Sequence, residues 1–190
     1  MKHLRILFPV LILSLTISVL LQSQTAQQTG PATVSAITDS EIRIVENDIV
    51  PAAEAMPEDK YNFAPTTGEF KGVRTFAEQV KHVATTNYSF WSSVLGEKPA
   101  VDISNDNGPV SMKSKAEIVK YLKDSFAVGH RAAKFLTPEN MGERVDSGFG
   151  KRPRLFLTTF TVAHAFDHYG QMVEYLRLNG IIPPASRPRN

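Results

Sequence analysis

The segment from Arg154 to Asn179 constrains the fold of this chain more than any other feature. Gly180 follows it and can close a helix in the left-handed conformation, and Pro183 and Pro184 prevent further helix. Alternating steps of four and three residues, the spacing at which helices pack in bundles, connect Leu157, Thr161, His164, His168, Gln171 and Tyr175. We therefore predict a long helix that packs against other helices along one face.

A second helical pattern begins at Ile37, where Asp39 or Ser40 can cap the first turn. Its apolar positions recur every three or four residues and are Ile42, Val45, Ile49 and Ala53. Pro51 falls inside this pattern, and a proline within a helix removes a backbone donor. We expect a kink or an early end there.

Two more helices are predicted in the middle of the chain. One runs from about Gly72 to Leu95 and ends at Gly96. The other starts at Ser114, which lies three residues before Glu117 as in a capping box. The buried face of this third helix is predicted to contain Ile118, Leu122, Phe126, Ala133 and Leu136.

Proline, glycine and short polar residues mark loops at residues 57–65, 99–109 and 137–153. No segment shows the alternation of a half-buried strand. The predicted fold is therefore all-α, a four-helix bundle over residues 37–185 that follows a flexible lead-in at 27–36. We expect the first and third helices to form walls of any pocket in this bundle.

The N-terminus has the order of a secretory signal peptide. Lys2 and Arg5 precede an apolar run from Ile6 to Leu21, and a polar stretch follows. We predict a signal peptide at residues 1–26, with cleavage after Ala26 and with Ser23 as the alternative. The folded part is then exported, to the periplasm or the extracellular space. An uncleaved segment would instead be the chain's only membrane contact, although its length is short for a span.

Charge and cysteine content exclude several classes of function. Without Lys2 and Arg5, the chain has 19 basic and 19 acidic residues and no basic stripe, so we expect no nucleic-acid partner. The absence of cysteine excludes disulfides, thiolate metal sites and cysteine nucleophiles. Any metal must therefore bind through nitrogen and oxygen.

Two histidines on the last predicted helix suggest a metal site. His164 and His168 are four residues apart, so their rings project from one face, one turn apart. Two imidazoles placed in this way can share a metal ion. The alternative is a pair of buried histidines that hydrogen-bond to their neighbours, and two ligands alone are too few for a tight site. No glutamate follows His164, so the H-E-x-x-H protease pattern is absent.

The same helix resembles the last helix of the DinB/YfiT-like superfamily. His164 to Gln171 fits that superfamily's H-x-x-x-H-x-G-Q pattern, and Tyr175 to Arg177 fits its Y-L-R pattern. The segment from His82 to Trp91 is similar to its second helix, in which a histidine precedes aromatic residues. The connection at Pro57–Pro65 is similar too, and the likeness extends in order from about residue 37 to residue 184.

The resemblance implies a four-helix bundle that binds a divalent metal ion, nickel or zinc above all, through three histidines. Carried to this sequence, the ligands are His82, His164 and His168. Three imidazoles leave positions open for water or substrate, as in catalytic sites. His130 matches no ligand of the superfamily and is expected on a solvated face. Periodicity alone places His82 beside the apolar stripe of its helix, not at its centre.

Other residues have two readings each. Gln171 lies at the rim of the site or hydrogen-bonds between helices, and Asp167 and Glu78 accept hydrogen bonds behind the ligands or are surface acids. Core and interface packing is the expected role of Tyr88, Phe90 and Trp91, and a platform on which a ligand stacks is the alternative. The basic turn at residues 151–154 is expected in solvent, and Arg177 is expected to pair with Glu174.

Two functions remain open from the sequence. The first is a metal-dependent hydrolase or transferase for a small molecule. Several branches of the superfamily activate a low-molecular-weight thiol, but such thiols are mainly cytoplasmic, so water is the simpler nucleophile for an exported chain. The second is a non-catalytic metal-binding or stress-associated scaffold, because a fold does not fix a function. The resemblance also implies a homodimer, which no feature of the chain itself predicts.

Overall fold

The computed structural model describes residues 31–188, so the predicted signal peptide and the first part of the lead-in lie outside the described residues. The predicted all-α four-helix bundle is confirmed. Its helices are α1 (Val34–Ala55), α2 (Phe76–Leu95), α3 (Lys115–Phe135) and α4 (Arg154–Leu178). Of the helices in this part of the chain, none combines the length and hydrophobicity needed to cross a membrane.

Helix boundaries follow local capping. The Ser114–Glu117 capping box at α3 is present, and a second one at Thr75 starts α2 four residues after the predicted Gly72. The first helix begins at Val34, three residues before the predicted start, because the Thr33 hydroxyl caps it by accepting from the backbone of Ala36.

The early end predicted at Pro51 does not occur, since α1 continues to Ala55. Ile49, Ala52 and Ala53 around it are fully buried. Burial of a large aliphatic side chain contributes about 1.5–3 kcal/mol, which offsets the loss of one backbone hydrogen bond. Packing against the other helices therefore overrides the local preference.

Helix α2 runs parallel to α3 and antiparallel to α4. Thr85 bonds Tyr121 at 3.0 Å and Asn87 bonds Ser125 at 3.0 Å, so α2 and α3 are parallel and need the long connection at 96–114. Residues later in α2 contact residues earlier in α4, so these two helices are antiparallel. The first half of α2 therefore faces the second half of α4.

The core is centred on α2. Tyr88, Phe90 and Trp91 are buried as predicted, and so is the whole predicted face of α3. Gly129 of α3 has a packing role, since a Cβ atom there would lie 2.6 Å from the Trp91 ring. The close approach of α2 and α3 depends on this glycine.

The segment before α4 differs from the prediction of a loop. It contains an antiparallel hairpin of β1 (Arg144–Asp146) and β2 (Lys151–Pro153), whose strands are too short to show a period in the sequence. Arg154 is buried, not solvated: its guanidinium donates to the Val94 carbonyl and lies 3.2 Å from Glu143. This arginine ties the base of the hairpin to the end of α2.

Candidate metal centre

Three histidine rings meet between α2 and α4. The Nε2 atom of His164 lies 3.0 Å from Nε2 of His82 and 3.1 Å from Nε2 of His168. The potential ligand atoms of the three residues all lie within 4.8 Å of one another. The structure thus brings together the three histidines that the resemblance implied.

The positions of these rings follow from the helix geometry. His164 and His168 lie one turn apart on α4, and the antiparallel α2 places His82 opposite them. His82 is buried although it lies beside the apolar stripe, because α2 packs against both α3 and α4 and buries most of its circumference. An apolar stripe that accounts for packing against one partner helix underestimates the buried face of a helix that packs against two.

A chain of hydrogen bonds fixes the proton on His168. The Asp167 carboxylate only accepts, so the Gln171 amide nitrogen donates to it at 3.0 Å. The Gln171 oxygen then accepts from the Gln79 amide at 2.8 Å. The Gln79 oxygen therefore accepts from Nδ1–H of His168 at 2.6 Å, which leaves a lone pair on His168 Nε2.

His82 is held in the same tautomer by the loop before α3. Its Nδ1 donates to the Asp106 carbonyl at 2.7 Å, and the Asp106 carboxylate lies 3.2 Å from the same nitrogen. Arg74 fixes this loop by donating to the carboxylate of Asp106 and, at 2.7 Å, to the side chain of Asn107. The lone pair of His82 Nε2 therefore also points to the centre.

The hydrogen bonds of the three rings cannot all be satisfied by the rings themselves. Within residues 31–188, Nδ1 of His164 is buried and has no hydrogen-bond partner. A neutral His164 carries one N–H, which can serve the lone pair of His82 or of His168 but not both. A cation at the centre would satisfy all three Nε2 atoms at once, so the donor set fits a metal ion.

The electrostatics keep the rings of His164 and His168 neutral. Burial, together with His168 and His82, lowers the pKa of His164 to about 3. Burial and His82 lower the pKa of His168 to about 4. Both rings therefore offer lone pairs at neutral pH, which is the form that binds a metal.

Of the other predicted site residues, two lie near the histidine centre and one does not. Gln171 and Asp167 belong to the chain behind His168, whereas the Glu78 carboxylate accepts from the backbone and hydroxyl of Thr75 at the start of α2. Sequence reasoning missed Gln79 and Asp106. Gln79 lies three residues before His82 on the same helix face, a spacing that could have indicated it. Asp106 lies in a loop, where no period exists.

A pocket of about 280 Å³ opens onto two of the three histidines, His82 and His164. It lies between α2, α4, the loop at 103–106 and the tip of the hairpin. The expectation that the first and third helices form its walls is wrong, because the long 96–114 connection and the hairpin cover the site instead. The histidine centre is thus accessible from one side.

A comparison with known families decides the assignment. The sequence profile of the DinB superfamily matches residues 41–172. The chain belongs to the DinB superfamily. The resemblance that was based on the last helix is therefore confirmed over most of the bundle.

Solved DinB-like structures share this fold. A DinB-like protein from Bacillus cereus ATCC 10987 is 17% identical, with a TM-score of 0.67, and the match covers 80% of this chain and 96% of that one. A DinB-like protein from Bacillus subtilis is 20% identical, with a TM-score of 0.60 and coverage of 80% and 99%. A search of the curated proteins found no match.

Proposed function

We propose that this DinB-superfamily protein is an exported metal-dependent enzyme, a hydrolase or transferase for a small molecule. One observation carries the proposal: lone pairs of His82 and His168 converge with His164 Nε2 beside an open pocket. A purely structural histidine cluster gains nothing from such an arrangement, because it leaves a nitrogen without a donor.

The donor set supports a divalent transition metal, with nickel or zinc as the first candidates. Three neutral imidazoles suit zinc, nickel, copper or iron better than magnesium or calcium, which prefer oxygen ligands. A bound ion of this kind supplies Lewis-acid chemistry, by which it polarises a substrate oxygen or acidifies a nucleophile.

The residues of the chain contribute position and shape. Gln79 and the Asp106 carbonyl hold the rings of His168 and His82 in one tautomer and orientation. The pocket holds the substrate against His82 and His164, on the side where solvent has access. Hydrolysis is favoured over thiol transfer by the predicted signal peptide, since low-molecular-weight thiols are mainly cytoplasmic.

The experiment is metal analysis of the purified protein by plasma mass spectrometry, after reconstitution with nickel and with zinc. About one ion per chain is expected, with loss of the ion in His164→Ala and retention in His130→Ala. His130 is a suitable control because it lies outside the centre. A protein without bound metal under either condition would overturn the proposal.

A second measurement separates the enzyme from the scaffold. If the metal has an open coordination position, small donors such as imidazole or azide should bind there and change the d–d absorption of the nickel form. A metal spectrum that is insensitive to every such donor would indicate the non-catalytic scaffold.

A further inference from the structure

One wall of the pocket is formed by three phenylalanines. Phe90 of α2 is buried, and its ring centroid lies 5.4 Å from that of Phe149 and 5.9 Å from that of Phe160. Phe149 is 71% exposed and Phe160 43% exposed, so much of this aromatic surface is uncovered. The cluster lies in the pocket that His82 and His164 also line.

Phe149 is placed there by the hairpin. It lies between Gly148 and Gly150, whose φ angles of 76° and 79° favour glycine and permit the tight turn. The buried Ser147 hydroxyl donates to the Gly150 carbonyl at 2.8 Å and accepts from the Phe149 N–H at 3.4 Å. The tip is therefore a built turn that presents an aromatic ring to the pocket.

The other residues that line the pocket are mostly polar. They include Thr85, Ser89 and Ser104 with their hydroxyls, and Asp106 is the only charged side chain among the described pocket-lining residues. Within residues 31–188 no lysine or arginine lines this pocket, and Asp106 is paired with Arg74. Apart from a metal ion at the histidine centre, an anionic group would therefore have no cationic partner among these residues.

We propose that the substrate is a small molecule with an aromatic or branched apolar group, which packs against Phe90, Phe149 and Phe160 while a donor atom reaches the histidine centre. Phe149 is the specificity-determining residue, because it is the most exposed of the three rings and a ligand would cover it. This inference rests on the proposed metal-dependent function.

The test uses the nickel-loaded protein and isothermal titration calorimetry with imidazole and 4-phenylimidazole, at a pH where both are uncharged. Both probes carry the same donor, and only the second carries an aromatic ring. We expect 4-phenylimidazole to bind about tenfold more tightly or better, and Phe149→Ala to reduce that advantage about threefold to tenfold. Imidazole itself should bind Phe149→Ala as it binds the wild type.

Phe70→Ala is the matched control. Phe70 is 44% exposed and lines a different groove, between residues 63–73 and the end of α4. The phenyl advantage should be unchanged in this variant. Circular dichroism should show the same helix content in both variants, since each side chain is largely solvent-exposed.

The outcomes separate the two proposals. If nickel binds but imidazole does not, the centre has no open position and the proposed function fails. If imidazole binds but the phenyl ring adds no affinity, or if Phe149→Ala leaves the advantage intact, the aromatic subsite is overturned while the metal centre stands.

Discussion

Two histidine constellations in this bundle use the same side chain for opposite purposes. His130 lies between α3 and α1, where Nδ1 bonds Asp39 at 2.7 Å and Nε2 bonds Glu46 at 2.9 Å. Both ring nitrogens of His130 thus face carboxylates. In the centre between α2 and α4, the three Nε2 atoms face one another, and Nδ1 of His168 faces the Gln79 amide oxygen. Only Nδ1 of His82 lies near a carboxylate, that of Asp106, beside the backbone carbonyl to which it donates.

The pKa values diverge accordingly. Burial lowers the pKa of His130, but hydrogen bonds to Glu46 and Asp39 outweigh it, so the pKa is raised. In the metal centre nothing outweighs burial at His164 and His168, and their pKa values fall. His130 is itself the cation of its cluster, whereas the other three histidines are those that could hold a metal cation.

The position of His130 also corrects an expectation. It was expected on a solvated face, but it is half-buried and joins two helices through ion pairs. Its partners lie 84 and 91 residues away in the sequence, so no local spacing could indicate them.

The largest expected contrast is in stabilisation by metal. At a zinc or nickel concentration of 100 times Kd, a site that exists only in the folded state adds about 2.7 kcal/mol to the free energy of unfolding. We expect this gain in the wild type, its loss in His82→Ala and its retention in His130→Ala. Thermal unfolding with and without metal measures it, and an equal gain in all three proteins would remove the contrast.

The next contrast tests the hydrogen-bond chain behind His168. Gln79→Met removes the acceptor of the Nδ1 proton and should weaken metal binding about 10- to 100-fold. Gln171→Met should weaken it less, because it acts through Gln79. Competition with a chelator dye measures the affinities.

Glu78→Gln is the matched control for that series. Its side chain caps α2 and makes no hydrogen bond to His82 among the described residues. It should leave metal affinity unchanged. A loss as large as that of Gln79→Met would show that the effect is not specific to the hydrogen bond between Gln79 and His168.

The smallest expected effect is the pH dependence of the His130 cluster. The raised pKa of His130 means that its contribution is complete below its ordinary pKa of 6.5 and is lost as pH rises through the folded value. Burial raises the pKa of Asp39, but His130 and Arg43 outweigh it and lower the pKa below 3.8, so the contribution of Asp39 is lost only as pH falls through that lowered value. The cluster is therefore most stabilising between these limits.

We expect His130→Gln to reduce the free energy of unfolding by about 1 kcal/mol near pH 5.5 and by much less near pH 9, since the groups are partly solvated. Urea denaturation of the metal-free protein at the two pH values measures the difference. A loss that grows with pH would contradict the charged state assigned to His130.

Much of the fold was predictable because helices carry local patterns. The end of α2 at Gly96, the Ser114 capping box and the packed face of α4 all depend on residues within a turn or two of each other. The errors occur where distant packing overrides local preference, as at Pro51, or where an element is too short for a period, as in the hairpin. The predicted pairing of Arg177 with Glu174, at 2.8 Å, is also present and is local.

The sequence alone determined the four helices and placed His164 and His168 on one face, because the period of a helix converts spacing into direction. The addition of His82 required the resemblance to a family. Only the tertiary structure decided which groups surround the ligands. Gln79 and the loop residue Asp106 contact the histidines, and Phe149 lines the adjoining pocket from the tip of a hairpin. The distances between these elements are set by the packing of the whole bundle.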